Sequence, residues 1–104
     1  MSWKRVLLTR DDINAGKHIR LQDAFGQAFL AAGGPKAAAM FQNDPSDNEY
    51  GFYFTPAAVE IFSTALDAPN ATECDAPPRA ETSLLFGEEE TWDLLSADAN
   101  NAGM

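Results

Sequence analysis

The chain has few of the side chains that most often carry out chemistry. Its 104 residues include one cysteine, Cys74, and one histidine, His18. A lone cysteine excludes an internal disulfide, and one cysteine with one histidine cannot supply the four ligands of a structural zinc site. No apolar run approaches the roughly 20 residues of a membrane-spanning helix. We therefore expect no metal, no cofactor and no membrane association.

Basic side chains are scarce after residue 40. Residues 1–40 carry six basic and three acidic side chains, a balance of +3, whereas residues 41–104 carry one basic and thirteen acidic side chains, a balance of −12. Nucleic-acid affinity comes mainly from Lys and Arg that neutralise phosphates, so a net charge of −9 predicts no direct nucleic-acid binding. The acidic half predicts instead a partner with a basic protein surface.

The rest of the composition suits one folded domain. Apolar residues make up 45% of the chain and aromatic residues 11%, which favours a globular structure. We predict a single domain over residues 1–96 and a flexible C-terminal tail over residues 97–104, because the tail is small and polar. The basic start is followed by only three apolar residues, far fewer than a secretory leader requires, so we expect a cytoplasmic location.

The first part of the chain predicts a strand followed by an interrupted helix. Residues 3–8 are short and largely apolar, as in a strand. Thr9 is a suitable helix cap, and the two aspartates after it favour the positive end of a helix dipole. Residues 14–16 predict an interruption, after which apolar residues recur at spacings of three and four. Two glycines and a proline at 33–35 end the helix.

The second part predicts three strands and two helices. The strands cover residues 37–42, 50–54 and 83–86. A helix begins between the second and third of them, with Thr55 as its cap and Pro56 at its first position. Residues 67–82 hold three prolines and predict a long surface loop. Three glutamates at 88–90 predict the start of a short C-terminal helix.

This order of elements predicts a fold class. It favours an α+β two-layer sandwich of the ferredoxin-like type, with βαββαβ order and an extra short C-terminal helix. Two helices are expected to cover one face of a four-stranded antiparallel sheet, because right-handed crossovers place both on the same side.

The other face of the predicted sheet is apolar. Tyr50, Phe52 and Phe54 alternate toward the helices, which leaves Tyr53 on the open face. The other residues that we expect on this face are Trp3, Leu7 and Leu85. Because soluble monomers rarely expose such a patch, we expect a cover: a second copy of the chain, the C-terminal helix carrying Trp92, or another protein. A homodimer is the cover that we favour.

Single residues give little sign of catalysis. His18 is predicted to be a surface histidine at a helix start. Cys74 is flanked by Glu73 and Asp75, whose charges raise a thiol pKa and so oppose a nucleophilic role. The oxygen-rich loop at residues 44–49 does not match the calcium-binding EF-hand pattern.

The charge and the open face together predict a function. We expect a small acidic interaction or regulatory protein that binds a basic partner surface without catalysis. The candidate contact residues are Asp44, Asp47, Glu49, Asp67, Glu73, Asp75, Glu88, Glu89 and Glu90. The alternative is a small ligand-binding or enzymatic domain, with a pocket between sheet and helices that uses His18, Tyr50 or Tyr53.

Overall fold

The computed structural model describes residues 2–43, 49–67 and 70–102, with side chains through Leu95. Within these residues the fold is α+β, with one five-stranded sheet and four α-helices. The strands are β1 (Trp3–Thr9), β2 (Met40–Asn43), β3 (Glu49–Phe54), β4 (Ala71–Cys74) and β5 (Thr82–Phe86). The helices are α1 (Arg10–Asn14), α2 (Lys17–Ala31), α3 (Pro56–Ile61) and α4 (Glu89–Ala102), with a 3-10 turn at Arg79–Glu81.

The sheet is antiparallel throughout, in the order β4-β1-β3-β2-β5. Strand β3 pairs with both β1 and β2, so β1 and β2 run parallel to each other with β3 between them. The two edges are β4 and β5, which are four strand spacings apart, or about 19 Å. The segment over residues 75–81 therefore crosses from the β4 edge to the β5 edge before β5 begins.

The interrupted helix is confirmed. Thr9 caps α1 in a capping box, in which its hydroxyl accepts from the Asp12 amide at 3.2 Å and its own amide donates to the Asp12 carboxylate at 3.1 Å. Gly16, at φ 77°, adopts the left-handed conformation that separates α1 from α2. Lys17 at the start of α2 lies 2.8 Å from the Asp12 carboxylate, and this hydrogen bond lowers the pKa of Asp12.

Helices α2 and α3 cover one face of the sheet and bury the larger core. We call it the helix-side core; its buried members are Val6, Leu8, Phe25, Ala38, Met40, Phe52, Phe54, Ala58, Phe62 and Leu66. Phe25 lies at its centre, with ring centroids 5.4 Å from Phe54 and 5.6 Å from Phe62 in edge-to-face geometry. Helix α2 approaches β5 closely at Gly26, where an added Cβ would lie 2.8 Å from the Phe86 ring.

Helix α4 packs on the opposite face, which we call the α4 face. Trp3, Ala39, Phe41 and Trp92 form a smaller buried cluster there, the Trp cluster. The Trp92 ring meets Phe41 at 4.8 Å and Trp3 at 6.2 Å, both edge to face. Thr91, which is buried, donates its hydroxyl to the Lys36 carbonyl and so fixes the first turn of α4 to the segment before β2.

The prediction of a loop over residues 67–82 is wrong for residues 71–74, which form a strand. Ala71–Cys74 forms the edge strand β4, which pairs with β1 from Trp3–Cys74 to Val6–Ala71. The strand has only four residues and both its middle side chains are polar and exposed, so its sequence lacks the apolar alternation that predicts a strand. The predicted strand at 83–86 is consequently the fifth, not the fourth, and it pairs with β2 at the other edge.

Helix α4 is longer than the short helix that the sequence predicts. It has 14 residues and continues to Ala102, so the backbone of residues 97–102 is helical. The flexibility predicted for the tail stays a prediction. No helix in the described part of the chain is long and apolar enough to cross a membrane.

Candidate functional site

Helix α4 covers its side of the sheet incompletely. Trp3 and Phe41 are buried beneath the helix, whereas Arg5, Leu7 and Tyr53 stay half-buried. The incompletely covered part is therefore the region of β1 and β3 around these three residues. The sequence suggests three ways to cover this apolar face: a second copy of the chain, the C-terminal helix or another protein. The C-terminal helix, through Trp92, is what buries Trp3 and Phe41.

The predicted dimer face divides between the two sides of the sheet. Trp3, Leu7 and Tyr53 lie on the α4 face, as predicted, but Trp3 is only 8% exposed and packs under α4 rather than toward a second copy. The placement of Leu85 is wrong, because it packs against the helix-side core. Leu84 pairs with Phe41 and lies on the α4 face, so ordinary alternation places Leu85 on the helix side. The irregularity between Met40 and Phe41 then pairs Phe86 with Met40, which places Phe86 on the helix side as well. The homodimer stays a prediction.

A cleft of about 380 Å³ opens beside α4 at the β5 edge. We call it the Arg79 cleft. Apolar side chains from the sheet and the helix meet polar side chains from the 3-10 turn and the helix start; the lining residues are Phe41, Arg79, Thr82, Leu84, Glu89 and Trp92. Its volume lies in the range of about 300–1,000 Å³ typical of ligand pockets.

Arg79 connects the 3-10 turn to α4. Its Nη2 lies 2.9 Å from Glu89 Oε1, and its Nη1 donates to Asp93 Oδ1. Glu89 and Asp93 are four residues apart, so both carboxylates lie on one side of the helix. All three side chains are largely exposed, so the pairs contribute at most about 1 kcal/mol to stability. The arrangement therefore shapes the cleft more than it stabilises the fold.

Negative charge exceeds positive charge at this end of α4. Glu88, Glu89, Glu90 and Asp93 are all exposed and lie within six residues, while Arg79 is the cation that pairs with them. Glu88 and Glu90 form no ion pair with any described residue. A cationic group that approaches the cleft consequently meets carboxylates that retain free oxygen atoms.

The remaining predicted contact residues lie elsewhere. Asp67, Glu73 and Asp75 are exposed around β4, at the edge opposite the cleft, and Glu49 is exposed at the start of β3. Asp44 and Asp47 lie outside the described residues. The seven described carboxylates are thus all on the surface but do not form one continuous patch, and only those at residues 88–90 adjoin a cleft.

Cys74 lies on the α4 face beside a half-buried cation. Burial raises the pKa of its thiol, the nearby Arg5 guanidinium lowers it, and Asp75 raises it further. The direction matches the sequence-based expectation, but burial is a larger cause than the acidic neighbour. Arg5 Nε is buried and has no hydrogen-bond partner among the described residues.

The three residues of the predicted alternative pocket do not come together. Tyr50 is on the helix side, with the Arg10 guanidinium 5.9 Å from its ring centroid, whereas Tyr53 is on the α4 face. His18 is in the first turn of α2, where its Nδ1 is buried without a hydrogen-bond partner in the described structure. None of them lines the Arg79 cleft. The described residues also contain no group of three or more His, Cys, Asp or Glu side chains that could hold a metal ion.

Sequence reasoning missed most of the cleft. Arg79 is the one basic side chain after residue 40, and Glu89 and Asp93 share a face of a predicted helix. These features together could have indicated their pairing. Nothing in the local sequence places Phe41, which lies 51 residues earlier in the chain, beside Trp92.

Comparison of the chain with models of known protein families, with curated proteins and with solved structures finds no match.

Proposed function

We propose that this chain is a small acidic interaction protein that binds a basic protein surface through the start of α4. The supporting observation is the excess of exposed carboxylates at residues 88–93 over their single cationic partner, Arg79. A concentrated negative field of this kind steers a basic partner and sets its orientation. No catalytic step is part of the proposal.

We also propose a ferredoxin-like framework for the first 74 residues. The order β4-β1-β3-β2, antiparallel at each step, with helices between β1 and β2 and between β3 and β4, supports this assignment. Strand β5 and α4 are then additions at one edge. The framework by itself implies no function, because this arrangement supports many unrelated activities. The functional proposal depends on the added edge.

The test compares two variants with the same net charge. The double variant Glu88→Gln/Glu90→Gln removes two exposed carboxylates at the start of α4. The control, Asp23→Asn/Glu60→Gln, removes two exposed carboxylates from α2 and α3 on the other side of the sheet. Wild type and both variants serve as baits for affinity capture from the native host at about 0.1 M and about 1 M salt.

We expect one partner to be captured by wild type and by the control at low salt and to be lost at high salt. The α4 double variant should bind that partner about tenfold more weakly, because two charges at the contact surface are gone. Equal capture by all three baits, or capture that persists at high salt, contradicts the proposal. Thermal unfolding of both variants checks that each remains folded.

A further inference from the structure

We infer that the Arg79 cleft receives one arginine side chain of the basic partner. This inference rests on the proposed function, because it assigns one contact within the proposed docking surface. Three features of the cleft support it. The floor of the cleft is apolar, an aromatic ring lines it, and each carboxylate that pairs with Arg79 does so through only one of its two oxygen atoms.

The floor of the cleft suits the aliphatic part of a long basic side chain. Phe41 and Leu84 come from β2 and β5, and Trp92 comes from α4. Long basic side chains pack their methylene groups on such surfaces while their charged ends stay near solvent. The Trp92 ring is 7% exposed and lines the cleft, so its indole signal can report whether the cleft is occupied.

The charge at the rim leaves room for one more cation. Glu89 and Asp93 each accept from Arg79 through one oxygen, Oε1 and Oδ1, so the second oxygen of each carboxylate forms no hydrogen bond with a described side chain. Two carboxylates hold one guanidinium, and a second guanidinium would balance the charge. An incoming anion would instead meet four carboxylates within residues 88–93.

Arginine fits the rim better than lysine does. Its planar guanidinium can donate to two carboxylates at once, whereas an ammonium acts as a point charge. Arg79 already demonstrates this geometry, because its two terminal nitrogens donate to two carboxylates four residues apart on one helix.

The experiment uses two tripeptides, blocked at both ends, with arginine or citrulline between glycines. Citrulline is nearly isosteric with arginine but neutral, so it separates charge from shape. Each is titrated to about 20 mM into the isotopically labelled full chain while the indole N–H signal of Trp92 is followed by NMR. The same titrations are run on Glu89→Gln and on its matched control Glu60→Gln, which removes an equal exposed charge from α3 on the other side of the sheet.

We expect the arginine peptide to shift the Trp92 signal and the citrulline peptide to bind at least about tenfold more weakly. Glu89→Gln should weaken arginine binding about fivefold, and Glu60→Gln should change it less than twofold. Equal affinity for the two peptides, equal effects of the two variants, or no shift of Trp92 at the highest concentration overturns the inference.

The two proposals fail separately. If the Glu88→Gln/Glu90→Gln bait loses the captured partner but the arginine peptide leaves Trp92 unaffected, the docking surface stands and the cleft assignment is wrong. If the peptide shifts Trp92 while capture is insensitive to charge and salt, the cleft binds guanidinium groups but the surface proposal is wrong.

Discussion

The two faces of the sheet differ in how completely they are closed. The helix-side core contains ten buried residues under α2 and α3, and Phe25, Phe52 and Phe54 are fully inaccessible. The Trp cluster contains four, under a single helix, and Trp92 retains 7% of its exposure. The first face is a core that defines the fold, whereas the second is a lightly covered surface beside a cleft.

The proposed docking site lies on the less completely closed face, so fold stability and the proposed binding depend on different sides of the sheet. Phe25 contacts four other phenylalanine rings, so the helix-side core is held from many directions. Helix α4 depends on Trp92, on the Thr91 hydrogen bond and on exposed Arg79 pairs. Regions with few buried contacts open locally at lower free energy than the core does. The comparison can be tested by weakening each face in turn.

The largest effect is expected from Phe25→Ala. Removing a fully buried ring from the centre of the helix-side core should lower the free energy of unfolding by about 3–5 kcal/mol, because a cavity forms among rigid neighbours. Urea denaturation followed by circular dichroism measures the change. Ala24→Ser, an exposed position one residue earlier on α2, is the control and should change stability by less than about 0.5 kcal/mol. A loss below about 1 kcal/mol for Phe25→Ala would show that this face is not the main core.

Trp92→Ala should have the next largest effect, and it should be local. We expect a loss of about 3 kcal/mol. Amide hydrogen exchange should show that α4 loses protection while α2 retains it, since the helix-side core does not include Trp92. Leu94→Ala is the control, because Leu94 lies on the same helix but is 53% exposed. Equal loss of protection in α2 and α4 would mean that the two faces form one cooperative unit.

Helix starts were the best predicted features, because their signals are local. Thr9 and Thr55 accept hydrogen bonds from amides three residues later, as their positions before acidic residues or proline indicate. Gly16 also marks the break between α1 and α2 through its own conformational freedom. These features depend on a few neighbouring residues, so a single sequence is enough to locate them.

Features that depend on distant pairing were not predictable. The four residues of β4 become a strand because β1 offers them a hydrogen-bonding edge, and their own composition resembles a loop. Leu85 lies on the helix side because β2 pairs Phe41 with Leu84, and the short apolar run at residues 84–86 does not specify that phase. The cleft depends on the crossing of α4 over β2 and β5, which no periodicity in residues 88–95 specifies.

An intermediate effect is expected at the residue that joins the two faces. The buried Thr55 hydroxyl accepts from the amide of Ala39, in the Trp cluster, at 3.0 Å and from that of Ala58, in the helix-side core, at 3.2 Å. Thr55→Ala leaves both amides without this acceptor and should cost about 2 kcal/mol. Thr55→Ser keeps the oxygen and should cost clearly less in thermal unfolding. Similar losses for both variants would show that the methyl group, not the hydroxyl, is what matters.

The smallest effect concerns Cys74 on the α4 face. Because burial raises the pKa of its thiol, the folded chain should react with iodoacetamide more slowly than the unfolded chain at the same mildly alkaline pH. Arg5 opposes that shift, so Arg5→Gln should raise the thiol pKa further and slow alkylation again. Arg10→Gln, which removes an exposed cation beside Tyr50, should leave the rate unchanged.

Mass spectrometry follows the alkylation of wild type and both variants across a pH series, and it ranks the three proteins by their rate of reaction. If Arg5→Gln reacts as fast as Arg10→Gln, the half-buried Arg5 guanidinium does not lower the pKa of the Cys74 thiol. Water would then screen the charge of Arg5 more strongly than its half-buried position on the α4 face indicates.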